Sequence, residues 1–194
     1  MIKHKHKAAL IITDMLNTFD FPEAKQLQPR AQSAARAILK LKSRLKAKKI
    51  PIIYVNDNFG QWQSDWRSVY NACTEEGRLG REIAELLRPS EDDYFVLKPK
   101  HSAFYSTNLD VLLDYLGTQT LILTGIAGNI CVLFTANDAH MRDYKVVVPK
   151  DCIASNTAAD DKYTLRQLKE VFKIPTPKSN LVNDGHWKTK PQRK

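Results

Sequence analysis

The chain has 194 residues, 43% hydrophobic and 26% charged, with only 7 glycines and 9 prolines, so one ordinary domain fits and disordered, collagenous or disulfide-dense classes are excluded. A net charge of +9 would suit a nucleic-acid or membrane-surface binder, but seven basic residues lie within 1–7 and 188–194, where there is no acidic one. Without them 23 basic residues stand against 21 acidic ones; the excess belongs to the ends, and nucleic acid is not an expected partner.

Taken in chain order, short apolar runs alternate with helical patterns. Residues 8–13, 51–56, 94–97, 120–124 and 145–148 are rich in Ile, Val and Leu and bounded by polar residues. Unbroken apolarity of this kind suits strands buried on both faces of a parallel sheet. Helical patterns fill 31–47, 81–87, 109–116, 129–142 and 160–172; the first puts Ala34, Ile38, Leu41 and Leu45 on one stripe with basic residues opposite. Such alternation predicts right-handed crossovers and a three-layer α/β/α sandwich with a mainly parallel, Rossmann-like sheet. The domain is expected over 8–180, with basic, flexible ends at 1–7 and 181–194. The polar, Trp-containing stretch 61–80 reads as a lid or short helices.

Cys73, Cys131 and Cys152 are odd in number and widely spaced, which argues against a disulfide framework and a four-ligand zinc site. No apolar run approaches the roughly 18 residues of a membrane helix, and residues 8–12 are too short a core for a signal peptide. The reading is a soluble cytoplasmic protein. No phosphate-cradling Gly motif and no Gly-x-Ser-x-Gly elbow occurs.

Ligands of open α/β sheets sit beyond the carboxyl ends of the strands. Asp14, Asn56-Asp57-Asn58, Lys98, residues 125–131 and residues 150–152 follow the five expected strands, so an acid, a base and a thiol converge on one rim. Cys131 follows a small-residue turn at a helix start, where the helix dipole and a nearby lysine would favour thiolate and a carboxylate would accept its proton. A small buried hydrophobe is an equal reading. Lys98 reads as a site lysine or a solvated one, Asp14 as a site acid or a turn former.

Three segments carry a resemblance. Residues 10–19 (Leu-Ile-Ile-Thr-Asp-Met-Leu-Asn-Thr-Phe), 96–104 (Val-Leu-Lys-Pro-Lys-His-Ser-Ala-Phe) and 123–132 (Leu-Thr-Gly-Ile-Ala-Gly-Asn-Ile-Cys-Val) resemble, in order, the aspartate, lysine and nucleophile segments of the isochorismatase-like cysteine hydrolases. That superfamily includes nicotinamidases and N-carbamoylsarcosine and ureidoacrylate amidohydrolases. The resemblance implies an Asp14–Lys98–Cys131 catalytic triad, a cis bond between Ile126 and Ala127, and an oxyanion hole from the Ala127 and Cys131 N–H groups. It implies a small amide or ureido substrate, a thioester intermediate and a homodimer or larger homo-oligomer. Phe19, Asn58, Trp62 and Ile126 are the expected substrate contacts; Asn58 reads equally as a turn former. Nicotinamidases of this superfamily commonly bind a metal through Asp-x-His after the second strand. Asp57-Asn58-Phe59 stands here instead, with no histidine between Lys7 and Lys100, so neither metal nor cofactor is expected. Cys152 is expected to be structural, Cys73 an exposed thiol and His101 a surface-loop residue. Phe21, Trp66 and Phe104 are further candidates for an aromatic wall. The alternatives are an isochorismatase-type vinyl-ether hydrolase, against which the cysteine at 131 argues, and a non-enzymatic binding domain with basic tails.

Overall fold

Strands that are apolar on both faces must be covered on both faces, and the fold follows from that requirement. In a computed structural model of the chain, which describes residues 7–60 and 65–187, six parallel strands form one sheet. They are β1 (Ala8–Thr13), β2 (Ile52–Asp57), β3 (Tyr94–Lys98), β4 (Thr120–Ile126), β5 (Lys145–Val147) and β6 (Ile153–Ala154). Their order is β3-β2-β1-β4-β5, and β6 pairs with the far end of β4 at Gly125 and Ile126.

Every residue of β1 and β4 is buried. Along β1, Ala8, Leu10 and Ile12 pack into one core with helix α1 (Ala24–Ala47). Ala9 and Ile11 pack into the other, with α4 (Leu109–Leu116) and α5 (Leu133–Met141). This is the expected three-layer α/β/α arrangement, and alternate side chains of a strand serve opposite layers.

The differences from the expected elements have local causes. Helix α1 begins at Ala24, seven residues before the expected start, and runs through Pro29. Pro29 has no N–H to give the preceding turn, and only Ala24 and Leu27 are buried ahead of Ala31, so the apolar stripe is faint there. Residues 66–74 form α2 (Trp66–Thr74), whose start is capped by Asp65 accepting the Ser68 N–H at 2.8 Å. The short α3 (Arg81–Leu86) follows, and α6 (Ala158–Arg166) opens on a reciprocal cap between Thr157 and Asp160. Among the described residues no helix is long and apolar enough to cross a membrane.

Residues 181–187 correct the expected domain boundary, because they pack against the domain and are not a free end. Val182 and Trp187 are buried in the α1 core. Arg44 donates to the carbonyls of Ser179 and Val182 at 2.5 and 3.1 Å, and Lys48 pairs with Asp184 at 2.8 Å. Asp151 receives both the N–H and the hydroxyl of Ser179, at 2.6 and 2.7 Å. An exposed Leu181 beside Val182, with Trp187 five residues on, makes no periodic signal, so the segment reads as a tail. If it anchors the fold, Trp187→Ala should lower unfolding free energy by about 3 kcal/mol in urea titration. A change below about 0.5 kcal/mol, the usual effect of a surface substitution, would mark a peripheral contact.

Candidate active site

The strand order reverses direction between β1 and β4, and the crevice outside their carboxyl ends is where an open α/β sheet can admit a ligand. Asp14 leaves β1 there and the Cys131 turn leaves β4, while Asp57 and Lys98 end β2 and β3.

Asp14 takes a left-handed conformation (φ 51°), which a short polar side chain tolerates. Its N–H bonds the Val55 carbonyl at 3.0 Å, and its Oδ1 accepts the Asp57 N–H at 2.7 Å. Asn56, fully buried, braces the same loop by donating to the Leu16 carbonyl at 2.8 Å and accepting the Leu16 N–H at 3.2 Å.

Lys98 is 0% exposed. Its Nζ lies 2.9 Å from Asp14 Oδ2, 3.0 Å from the Lys100 carbonyl, and 3.6 Å from both Cys131 Sγ and Asp57 Oδ2. A buried ammonium is tolerable only when so surrounded.

Cys131 is partly exposed. Gly125 brings β4 hard against β1, since a Cβ at its φ of 116° would lie 2.0 Å from the Thr13 carbonyl oxygen. The Ile126–Ala127 peptide that follows is cis. The chain then makes one wide turn, Gly128–Val132, in which the Val132 N–H reaches the Ala127 carbonyl at 3.2 Å, before α5 begins. Gly128 is packed on Ser155 so closely that a Cβ would sit 2.6 Å from its hydroxyl.

The electrostatics differ from the expectation of a resting thiolate. Burial first, and then the negative charge of Asp14, push the Cys131 thiol above its ordinary value, and the pull of Lys98 offsets only part. The thiol therefore stays protonated and bonds to the Asp14 carboxylate. Burial also raises the Asp14 carboxyl above the usual carboxylate range, against the attraction of Lys98, which makes it a better base. For Lys98, burial alone would lower the ammonium, but Asp14, Cys131 and Asp57 hold it above its usual value.

The other expected contacts fall elsewhere. Phe19 is 2% exposed, stacked on Phe21 at 5.8 Å within the α1 core. Ile126 is 1% exposed in that same core. Both pack inside that core and present no open face. Asn58 is buried and serves its turn: its Oδ1 accepts the Gly60 N–H at 2.9 Å and its own N–H bonds the Lys98 carbonyl at 3.1 Å. Trp62 lies outside the described residues. Phe104 is buried in the second core, and Trp66 on α2 carries the Arg67 guanidinium over its ring at 4.6 Å. Cys73 is not exposed but fully buried, its thiol pushed up to about 12 by burial. Cys152 is also buried, and its carbonyl receives the Gly125 N–H. His101 is exposed, its ring 5.5 Å from that of Phe134.

Asp57 is the residue whose contact with Lys98 sequence reasoning missed. Asp57 Oδ1 accepts the Phe59 N–H at 2.8 Å, in a turn that leaves Phe59 44% exposed. An acid directly after the apolar run 51–56 was the available signal. The residues do not fit the metal set of nicotinamidases: the Asp57 carboxylate is taken by Phe59 and Lys98, and no three His, Cys, Asp or Glu side chains among the described residues could hold an ion together.

Residues 8–178 match the family described as Isochorismatase domain. The chain belongs to the isochorismatase family. It is 46% identical to the isochorismatase family protein YaaI of Bacillus subtilis over 168 residues, 87% of this chain and 92% of YaaI. It is 41% identical to the ureidoacrylate amidohydrolase RutB of Methylorubrum extorquens over 98 residues, 50% of this chain and 40% of RutB. Its fold superposes on the N-carbamoylsarcosine amidase of Thermoplasma acidophilum with a TM-score of 0.70 at 28% identity, covering 91% and 99% of the two chains. The resemblance read from three segments is thus the family's, and the protein is an isochorismatase-family hydrolase.

In this isochorismatase-family site, alkylation of Cys131 by iodoacetamide should be slower at pH 7 than that of a free cysteine and should still be rising at pH 9. Asp14→Asn removes the adjacent negative charge and should move the alkylation profile to lower pH. A wild-type profile with a midpoint below pH 7 would contradict this electrostatic account.

Proposed function

We propose that the protein cleaves a C–N bond of a small amide or ureido compound through a thioester on Cys131. The observation that carries this reading is the meeting of a partly exposed thiol with a buried carboxylate and a buried ammonium at the strand ends. The relatives named for amide and ureido hydrolysis, RutB and N-carbamoylsarcosine amidase, support the bond class.

In the proposed cycle Asp14 takes the thiol proton as sulfur attacks the substrate carbonyl carbon. Lys98, 3.6 Å from the sulfur, stabilises the forming thiolate, so the charge separates only as the reaction begins. The Ala127 and Cys131 N–H groups are the proposed donors to the oxyanion of the tetrahedral intermediate. Asp14 then gives its proton to the departing nitrogen, which leaves as ammonia or an amine when the C–N bond breaks. Water, losing a proton to Asp14, attacks the thioester; the acid departs and the thiol is restored. A raised carboxyl suits this double duty, because a very weak base would not take a thiol proton.

The test is ammonia or amine release across a panel of amides and ureido compounds. Cys131→Ala should lower turnover by about a thousandfold or more, the scale seen when a nucleophile is removed. Turnover retained in that variant would contradict the cysteine mechanism and favour direct attack by water, as in a vinyl-ether hydrolase.

A further inference from the structure

We propose that Asp57 is a positioning residue that sets the acidity of the Cys131 thiol by competing with its sulfur for Lys98. The inference rests on the reading of Cys131 as nucleophile and adds a residue to it.

An ammonium has three N–H donors. Two of those on Lys98 have short, directional partners, Asp14 Oδ2 at 2.9 Å and the Lys100 carbonyl at 3.0 Å. The third is left between Cys131 Sγ and Asp57 Oδ2, both 3.6 Å away. For sulfur that distance is an ordinary hydrogen bond; for a carboxylate oxygen it is an ion pair just beyond hydrogen-bond length. The third N–H of the ammonium is thus shared between the thiol and the Asp57 carboxylate, at equal distances. Transfer of the thiol proton to Asp14 turns the sulfur into a competing anion, and the N–H can turn to it with little movement. Asp57 therefore holds Lys98 in place before the reaction and makes the resting thiolate less favourable.

The geometry gives Asp57 little freedom to do otherwise. Its backbone N–H is fixed on Asp14 Oδ1 at 2.7 Å and its Oδ1 on the Phe59 N–H at 2.8 Å. Only Oδ2 remains, and it faces Lys98. The charged and titratable groups around the pair are few. Asp14 and Lys98 face Cys131, while Asp14, Cys131 and Asp57 face Lys98; Lys100 contributes its carbonyl, and the His101 ring lies on Phe134. The direct effect of Asp57 on the sulfur is minor beside these, so its influence passes through the lysine.

Asp57→Asn separates charge from shape, because the amide oxygen can still accept the Phe59 N–H. The measurement is the pH dependence of Cys131 alkylation by iodoacetamide in the full chain, with the labelled peptide identified by mass spectrometry and folding checked by thermal unfolding. Asp57→Asn should shift the profile to lower pH by about half to one unit, a roughly three- to tenfold faster reaction at pH 7.5. Asp57→Ala, which loses the turn as well, should shift it in the same direction. An unchanged or higher profile in Asp57→Asn overturns the proposal, as does a shift confined to Asp57→Ala, which would assign the effect to the 57–60 turn. The readout needs no substrate, so its failure leaves the amide-release test standing, and turnover retained by Cys131→Ala would refute the nucleophile reading without touching the alkylation shift.

Discussion

The arrangement depends on one buried ammonium. Lys98 sits at 0% exposure at the end of β3, where an unpaired charge would be strongly destabilising. Three other strand ends supply its surroundings: Asp14 after β1, Asp57 at the end of β2, and the Cys131 turn after β4. Burying this lysine therefore requires the strands to end in register, and the register follows from continuous parallel pairing of Ile53 through Asp57 with Tyr94 through Lys98, and of Ala8 through Thr13 with Thr120 through Gly125. Site geometry and sheet geometry are one constraint. The cost of holding two opposite charges out of water is offset by the Asp57 N–H and the Cys131 thiol on Asp14 and by the Lys100 carbonyl on Lys98, the kind of added hydrogen bonding a buried pair needs.

The same burial decides the resting state of the thiol. Removal from water raises Cys131 and Asp14 together, and the adjacent negative charge of Asp14 raises the thiol further. A dipole at a helix start is a weak influence beside these, the more so because the cysteine lies in a wide turn ahead of α5 and not in a regular first turn. The reading consistent with this is a neutral thiol bonded to a carboxylate base, with the proton moved only when a carbonyl is present to be attacked. Such a site would be sparing with stray electrophiles.

The sheet was legible in the residues because strands buried on both faces write themselves as unbroken Ile, Val and Leu runs; β1 falls on the residues expected for it. Asp14, Lys98 and Cys131 were legible as strand-end residues and by resemblance, and they do come together. Less legible was whatever depends on neighbours distant in sequence. Phe19 and Ile126 are close to the site along the chain, yet both are buried in the core that α1 shares. Cys73 lies in a polar stretch, yet its helix turns it inward against Leu16, Val69 and Ala84. Asn58 is claimed by its own turn. Residues 181–187 carry too few apolar positions to show periodicity, but two of their three, Val182 and Trp187, are buried in the α1 core. Asp57 gave a position without a partner, since the lysine it faces is far along the chain, at Lys98.

The central claim is covalent catalysis at Cys131, and trapping the intermediate tests it most directly. A substrate found to release ammonia or amine is mixed with the enzyme, quenched in acid within milliseconds to seconds, and the protein is weighed intact and as peptides. The account predicts a mass increase equal to the acyl group, minus one hydrogen, on the peptide containing Cys131, lost on treatment with hydroxylamine. Turnover at full rate with no adduct on that peptide at any quench time, in an enzyme that remains active as Cys131→Ala, would contradict it.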